Sequence, residues 1–431
     1  MNQVVSKISA RKPEILAPGG SLEKCEIALL YGADAVYAAG KDFGLRGFAH
    51  NLDTEELAAA TFLAHRARKK IYITVNAFAR EHDLKKIPVY LEYLQEIAVD
   101  ALIISDPGVL MLARKYAPVI PIHLSTQANT TNSLSIDFWQ GQGVSRINLA
   151  RELSFPELSE IARKARIEIE VFVHGAMCMS YSGRCLLSAF LNRRSANSGF
   201  CTQPCRWSYR LVEEKRPGQY FPVQEDARGT YIFNSKDLCL IGELGMLASV
   251  GVDSFKIEGR MKGSLYLSSV TRAYRQATDR CLGPADGFRA ECSWMEDLLK
   301  ISHRPYTKGL LFQDSETSAS AVETELSYIQ THTLAGLTRT LPDRASFPDD
   351  GNIYLEARSR LVPGVTLEFL YPDGSSRFHV LDSFEDSNGN SLSEAHPNKW
   401  VRFSVEFPVF ATQVVRIANN HKIGSYPEGN S

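Results

Sequence analysis

"EILAPGGSLEKCEIALLYGADAVYAAG", residues 14–40, sets the pattern for the first half of the chain. A short strand candidate, Glu14–Leu16, runs into a Pro-Gly-Gly turn. An amphipathic stretch, "LEKCEIALLYG", comes next, and the chain returns to a second strand candidate at Ala35–Tyr37. The same alternation continues through Ile71–Val75, Ala101–Ile104, Val119–Leu124, Arg146–Leu149, Ile167–Val173 and Ser254–Ile257, with helical patterns such as "EELAAATFLAHRARKK" between them. Regular βα alternation implies a parallel sheet with helical crossovers. Eight such units in roughly 260 residues point to an α/β fold of the TIM-like (β/α)8 barrel type, preferred over a doubly wound open sheet.

The residues immediately after each strand are polar, small or charged: "APGGS", "AAGKDFGLRGF", "NAF", "SDPG", "STQANTTN", "ARE", "HGAMC" and "EGRMK". A barrel keeps its active site at these carboxyl ends. Turn chemistry alone accounts for Gly19, Gly20, Pro107 and Gly108, but poorly for Asn76, Gln127, His174 and Glu258. About 80 residues separate the seventh and eighth strands, and so long a βα connection on the active face is normally functional. From about Ser327 the pattern becomes alternating, with "PDG" and "SNGN" turns, as in a small antiparallel β-barrel. The expected organisation is a catalytic barrel over residues 11–285, with the cysteine-bearing insertion after the seventh strand at about 175–250. A linker over 286–326 and a C-terminal antiparallel β-barrel domain over 327–431 complete it.

The 431 residues are 44% apolar with a formal net charge of -1, enough for a sizeable core and without a global field for nucleic acid. The N-terminal stretch lacks an apolar secretory region, and no apolar run reaches the ~20 residues of a membrane helix. A cytoplasmic location is expected, with no membrane and no DNA partner. In a reducing compartment, clustered cysteines read as metal ligands or catalytic groups rather than disulfides.

Four of the eight cysteines stand within "HGAMCMSYSGRCLLSAFLNRRSANSGFCTQPCRW", residues 174–207: Cys178, Cys185, Cys201 and Cys205. Cys25, Cys239, Cys281 and Cys292 are scattered singly. The spacing contains no C-x2-C pair and fits neither zinc-ribbon nor ferredoxin patterns, so four thiolates here suit tetrahedral zinc or an iron–sulfur cluster. Arg184, Arg193, Arg194, Arg206 and Arg210 would stabilise thiolates. Cys239, in "SKDLCL", is a fifth candidate whose plainer reading is a core residue.

Together "ILAPGGSLEKCEIALLYGADAVYAAGKDFGLRGFAHN", "HLSTQANTTN", "VFVHGAMCMSYSGRCLLS", "CTQPCRW" and "SFKIEGRMK" resemble the collagenase-like peptidase family U32 over nearly the whole chain. Within the family the similarity is to a bacterial branch implied to hydroxylate the wobble uridine of certain tRNAs to 5-hydroxyuridine, with prephenate as oxygen donor. Relatives are implied to hydroxylate a ribosomal cytidine or to act in oxygen-independent ubiquinone hydroxylation. The resemblance implies a 4Fe-4S cluster on Cys178, Cys185, Cys201 and Cys205, with Cys239 as alternate, and tRNA as partner. Zinc is the alternative metal. The alternative functions are a peptidase, for which no H-E-x-x-H or G-x-S-x-G motif is present, and a non-catalytic, metal-stabilised RNA-binding protein. Neither Ser125 nor Ser182 is marked as a nucleophile. The sequence sets no oligomeric state.

For hydroxylation, the candidate catalytic residues are His174, Glu258, Asn76 and Gln127. Asn76 and Gln127 suit a base edge or a loop backbone. His174 suits a proton carrier or a satisfied core histidine. Glu258 suits catalysis or an ion pair with Arg260. A dicarboxylate wants arginines, and Arg46, Arg151 and Arg260 all come just after barrel strands, where carboxylates such as Glu152 and Glu258 offer them structural partners instead. Arg193, Arg194, Arg206, Arg210, Lys215 and Arg216, with Trp207 and Tyr209, suit RNA phosphates and bases, or a solvated loop.

Overall fold

The computed structural model describes residues 12–41, 43, 51–177, 185, 188, 192, 194, 202, 211–212, 220–221, 224–226, 229–231, 236–281, 287–312, 328–340 and 351–419. The first region is β1 (Glu14–Pro18), α1 (Leu22–Leu30), β2 (Ala35–Ala38), α2 (Thr54–Arg66), β3 (Lys70–Val75), α3 (Ile87–Glu96), β4 (Ala101–Ile104), α4 (Pro107–Tyr116), β5 (Ile122–Leu124), α5 (Ser133–Gly141), β6 (Val144–Asn148), α6 (Phe155–Lys164) and β7 (Glu168–Ala176). After the insertion come β8 (Asp237–Cys239), α7 (Leu244–Ser249), β9 (Ser254–Ile257), α8 (Ser264–Arg280), α9 (Cys292–Lys300) and β10 (Tyr306–Thr307). Strands β1 to β7 pair in order and in parallel, and β9 closes the ring by pairing with β1 at Glu14↔Ser254 and β7 at Glu170↔Ser254.

All eight expected barrel strands form. The fifth is shorter than expected: Val119 lies in a turn between Pro118 and Pro121, 76% exposed, and the strand begins at Ile122. Proline offers no N–H to a ladder. The seventh is longer, running on to Ala176, where β8 pairs antiparallel with it at Ala176↔Asp237 and His174↔Cys239. Within the stretch read as a linker, α9 packs Trp294 and Leu298 into the barrel's outer core.

The register divides the barrel interior into two unlike halves. Leu16, Ala35, Tyr37, Tyr72, Ala101 and Ile103 form an apolar half. His123, Arg146, Glu170, Ser254 and Lys256 fill the other. Arg146 reaches Glu14 (2.5 Å), Glu168 (2.7 Å) and Glu170 (3.4 Å), and Lys256 reaches Glu170 (2.8 Å). Asn148 Nδ2 donates to Glu170 as well. Charges this deep persist only when paired and hydrogen-bonded.

The C-terminal domain is a half-barrel antiparallel sheet of six strands: β11 (His332–Arg339), β12 (Asn352–Ala357), β13 (Val365–Leu370), β14 (Ser376–Leu381), β15 (Trp400–Ser404) and β16 (Val414–Ala418). Their order is β14-β13-β16-β11-β12-β15. One face encloses Ile353, Leu355, Phe369, Val401, Phe403 and Val415. The other docks on the barrel: Leu337, Leu370 and Val414 join the barrel's outer core. Tyr31, at the end of α1, donates to Leu370 O and accepts from Val414 N, both at 2.9 Å. A buried network of Arg272, Asp297, Arg416 and Glu368 lies beside this contact.

Burial pushes the Glu170 carboxyl up, but the Lys256 and Arg146 charges overcome it and hold it at about 2, below its ordinary 4.5. Its stabilisation is therefore present above about pH 4.5 and is lost as the pH falls toward 2. Glu170→Gln should cost about 3–5 kcal/mol at pH 7, by leaving two cations short of a partner, and should flatten the acid limb of the stability profile. Urea melts at pH 7 and pH 3 measure both effects; a variant as stable as the parent at pH 7 would remove the network from the forces that hold the barrel.

Candidate functional site at the barrel mouth

The carboxyl ends of the strands bring together residues far apart in sequence. Gly19 and Gly20 turn the chain from β1 into α1, and a Cβ at Gly20 would lie 2.1 Å from Arg260 O. Across the mouth, Arg260 donates to Thr74 Oγ1 at 3.2 Å although its side chain is almost wholly buried. Tyr37 donates to Ile257 O at 3.0 Å and lies 3.3 Å from Glu258 Oε2. Gly175, at φ +106, lets β7 pass so close that a Cβ would sit 2.5 Å from Glu258 O. Tyr266 OH holds that same carbonyl at 2.7 Å.

Asn76 and Gln127 converge on one hydroxyl. Ser125 Oγ accepts from Asn76 Nδ2 (3.5 Å) and Gln127 N (3.4 Å), and donates to Gln127 Oε1 (3.4 Å). Ser105 Oγ holds the Asn76 carbonyl at 3.0 Å. No imidazole hydrogen-bonds Ser125 among the described residues, so it lacks the base a nucleophilic serine needs. Arg151 donates to Ala176 O at 3.0 Å and lies over the Phe172 ring, at the root of the cysteine segment.

His174 is taken away from the mouth. The register between β7 and β9 shifts after Lys256, so His174 aligns with Ile257, on the outer side of the barrel, while Lys256 aligns with Phe172 inside. There His174 is fully buried among Tyr266, Tyr274 and Tyr306. Tyr274 donates its hydroxyl to Val173 O at 2.8 Å, so the 3.3 Å contact to His174 Nδ1 reads with the nitrogen as donor. Nε2 has no partner. Burial lowers its pKa to about 3 and keeps the ring neutral. This is the environment of a core histidine.

Cys239, opposite His174, is equally enclosed: Tyr274 OH lies 3.8 Å from its sulfur, and burial raises the thiol to about 11. Cys185 is partly exposed. Cys178, Cys201, Cys205, Arg46, Arg206 and Trp207 lie outside the described residues. Both ends of the segment that carries the four cysteines are fixed at the mouth, since it leaves from Ala176 and returns at Asp237, which pairs with Ala176. Four thiols in a cation-rich segment are a donor set that fits an iron–sulfur cluster or zinc. Among the described residues no group of three or more His, Cys, Asp or Glu is arranged to hold a metal, and no helix is long and apolar enough to cross a membrane.

Sequence reasoning passed over Tyr37, Thr74 and Lys256. Lys256 stands in a four-residue strand that is buried throughout, its ammonium 4.7 Å from the Tyr37 ring. A lysine inside a strand flanked by apolar residues was the available signal, because lysine is rarely buried unpaired.

A neutral His174 should not titrate between pH 5 and 8. Histidine-selective NMR on labelled protein would show its ring shifts flat over that range. Because the folded pKa is depressed, His174 favours the folded state above about pH 6.5 and opposes it as the pH falls toward 3. An inflection near pH 6.5, assigned through His174→Gln, would instead return the ring to solvent and to proton transfer.

The profile of peptidase family U32 matches residues 20–321, and that of the peptidase family U32 C-terminal domain matches residues 343–416. The chain is 35% identical over 412 residues to the tRNA hydroxylation protein P1 of Bacillus subtilis (strain 168), covering 95% of this chain and 96% of that one. It is 36% identical over 428 residues to the tRNA hydroxylation protein P of Escherichia coli (strain K12), covering 88% and 91%. The 23S rRNA 5-hydroxycytidine C2501 synthase of the same organism is 34% identical over 306 residues, covering 70% of this chain and 45% of that one. With both the barrel and the sheet domain matched, the chain belongs to peptidase family U32.

Proposed function

We propose that this protein is an RNA-modifying enzyme that hydroxylates the wobble uridine of tRNA to 5-hydroxyuridine, with prephenate as the oxygen donor. The observation that carries the reading is the correspondence, over 95% of the chain, with a protein named for tRNA hydroxylation. The mouth is chemically suited to it. Asn76 and Gln127 offer amides to a base edge. Arg151 and Arg260 are cations for a dicarboxylate. Tyr37 and Glu258 form a hydroxyl–carboxylate pair able to hold or move a proton at Glu258 Oε2. Proteolysis finds less support, since among the described residues Ser125 has no imidazole partner and the His174 ring is sealed behind β7.

Cys178, Cys185, Cys201 and Cys205 would hold a 4Fe-4S cluster, in a segment whose two ends, Ala176 and Asp237, are paired at the mouth. That group, when bound, supplies redox or Lewis-acid chemistry, and the protein's own residues orient the base and the donor. Cys239 suits the ligand role less well, because its thiol is enclosed against Tyr274.

Nucleoside mass spectrometry of tRNA from a deletion strain tests the proposal. 5-Hydroxyuridine should disappear, return with the parent gene, and not return with Cys185→Ala. Protein purified without oxygen should carry iron and acid-labile sulfide. Unchanged 5-hydroxyuridine in the deletion strain would sink the hydroxylase reading, and stoichiometric zinc without iron would sink the cluster.

A further inference from the structure

The C-terminal domain is placed along α1, and the direction of that placement matters. Helix α1 comes directly after β1, so it starts at the mouth and runs toward the opposite end of the barrel. Its far end, at Tyr31, bonds β13 and β16. Its mouth end, at Glu23, bonds Arg339 at the end of β11 (2.5 Å) and Arg358 just past β12 (2.7 Å). Eight residues at ~1.5 Å rise give ~12 Å, which matches the two strand spacings of ~4.8 Å between those strand pairs. The sheet therefore climbs α1 from the far end toward the mouth, and β15, the next strand in order, lies beyond the rim.

The outer face of that overhang carries a distinct set of side chains. Ile353, Leu355, Val401 and Phe403 point into the domain's own core, so Tyr354, Trp400 and Arg402 stand on the opposite face. The register aligns Arg339, Tyr354 and Arg402 in one row across three strands, with Trp400 in the adjacent row. The Tyr354 and Trp400 rings lie 6.5 Å apart at 49°, and both are partly exposed. Arg339 is committed to Glu23 and Glu356. Arg402, half-buried on this face, lies 3.7 Å from the exposed Glu385 carboxylate, a separation at which an ion pair near solvent is weak.

We propose that this overhanging face of β12 and β15 is a docking surface for single-stranded RNA, with Tyr354 and Trp400 stacking on bases and Arg402 contacting a phosphate. Paired aromatic faces beside a guanidinium are what a flexible, stacked polyanion requires. Continuity with the mouth identifies the segment as the nucleotides flanking the base that enters it. The inference rests on the tRNA reading above, and it assigns to the sheet domain a part in substrate binding.

The test uses the full chain and a fluorescein-labelled anticodon stem-loop RNA, read by anisotropy. Trp400→Ala should weaken binding about 10-fold and Trp400→Phe should largely restore it. Arg402→Ala should weaken binding and reduce the slope of log affinity against log salt by about 0.7. Phe378→Ala, at a 63% exposed residue on the far edge strand β14, should bind as the parent does. Thermal melts confirm that each variant is folded. If the parent binds RNA and the Trp400 and Arg402 variants bind it equally well, the surface is overturned while the tRNA reading stands. If the parent does not bind the RNA, both fall. Loss of binding to a gelatin peptide, with RNA binding intact, would assign the face to a peptide and overturn the proposal.

Discussion

Everything at the mouth depends on four residues, Ser254–Ile257, which pair with β1 on one side and β7 on the other. These pairings close the ring across an insertion of about 60 residues. The insertion can be that long because it does not interrupt the ladder. It leaves from the end of β7 and returns through β8, which hydrogen-bonds to the same last residues of β7. Closure also sets orientation. The register shift after Lys256 turns His174 outward and Lys256 inward, so one irregularity decides which titratable groups can face a substrate.

The barrel interior then distributes charge in a way a uniformly apolar core would not. Lys256 is held between Glu170 and the rings of Tyr37 and Phe172, while the Tyr37 hydroxyl reaches Glu258 at the rim. The polar half of the interior is thus continuous with the mouth through Tyr37. Arg146 anchors its lower end on three carboxylates. A fixed, desolvated arrangement of this kind orients dipoles before a substrate arrives, which is the usual source of electrostatic advantage in an active site.

Much of the fold was legible because strand length, helix periodicity and loop chemistry are local. The first strand pair around "APGGS", the α2 pattern and the "PDG" hairpin between β13 and β14 all formed as read. The site was legible only in outline. Asn76, Gln127, Glu258 and Arg260 do stand at the carboxyl ends of strands. The partners of Asn76, Glu258 and Arg260, which are Ser125, Tyr37 and Thr74, come from other strands, and no spacing rule could have joined them. His174 read equally as a proton carrier or a core histidine; the surroundings that decide for the core, Tyr266, Tyr274 and Tyr306, lie at least about 90 residues further along the chain.

By itself the sequence determined the eight βα units, the long insertion after the seventh strand, the concentration of thiols within it and the change to an antiparallel pattern near the C-terminus. These arise from periodicity and composition, which act over a few residues at a time. Only the tertiary structure decided which side of β7 His174 occupies, which carboxylates hold Lys256 and Arg146, and that the sheet domain docks along α1 from Tyr31 to Glu23. Those outcomes depend on register and on the pairing of charges brought together by closure, and such contacts exist only once distant segments have met.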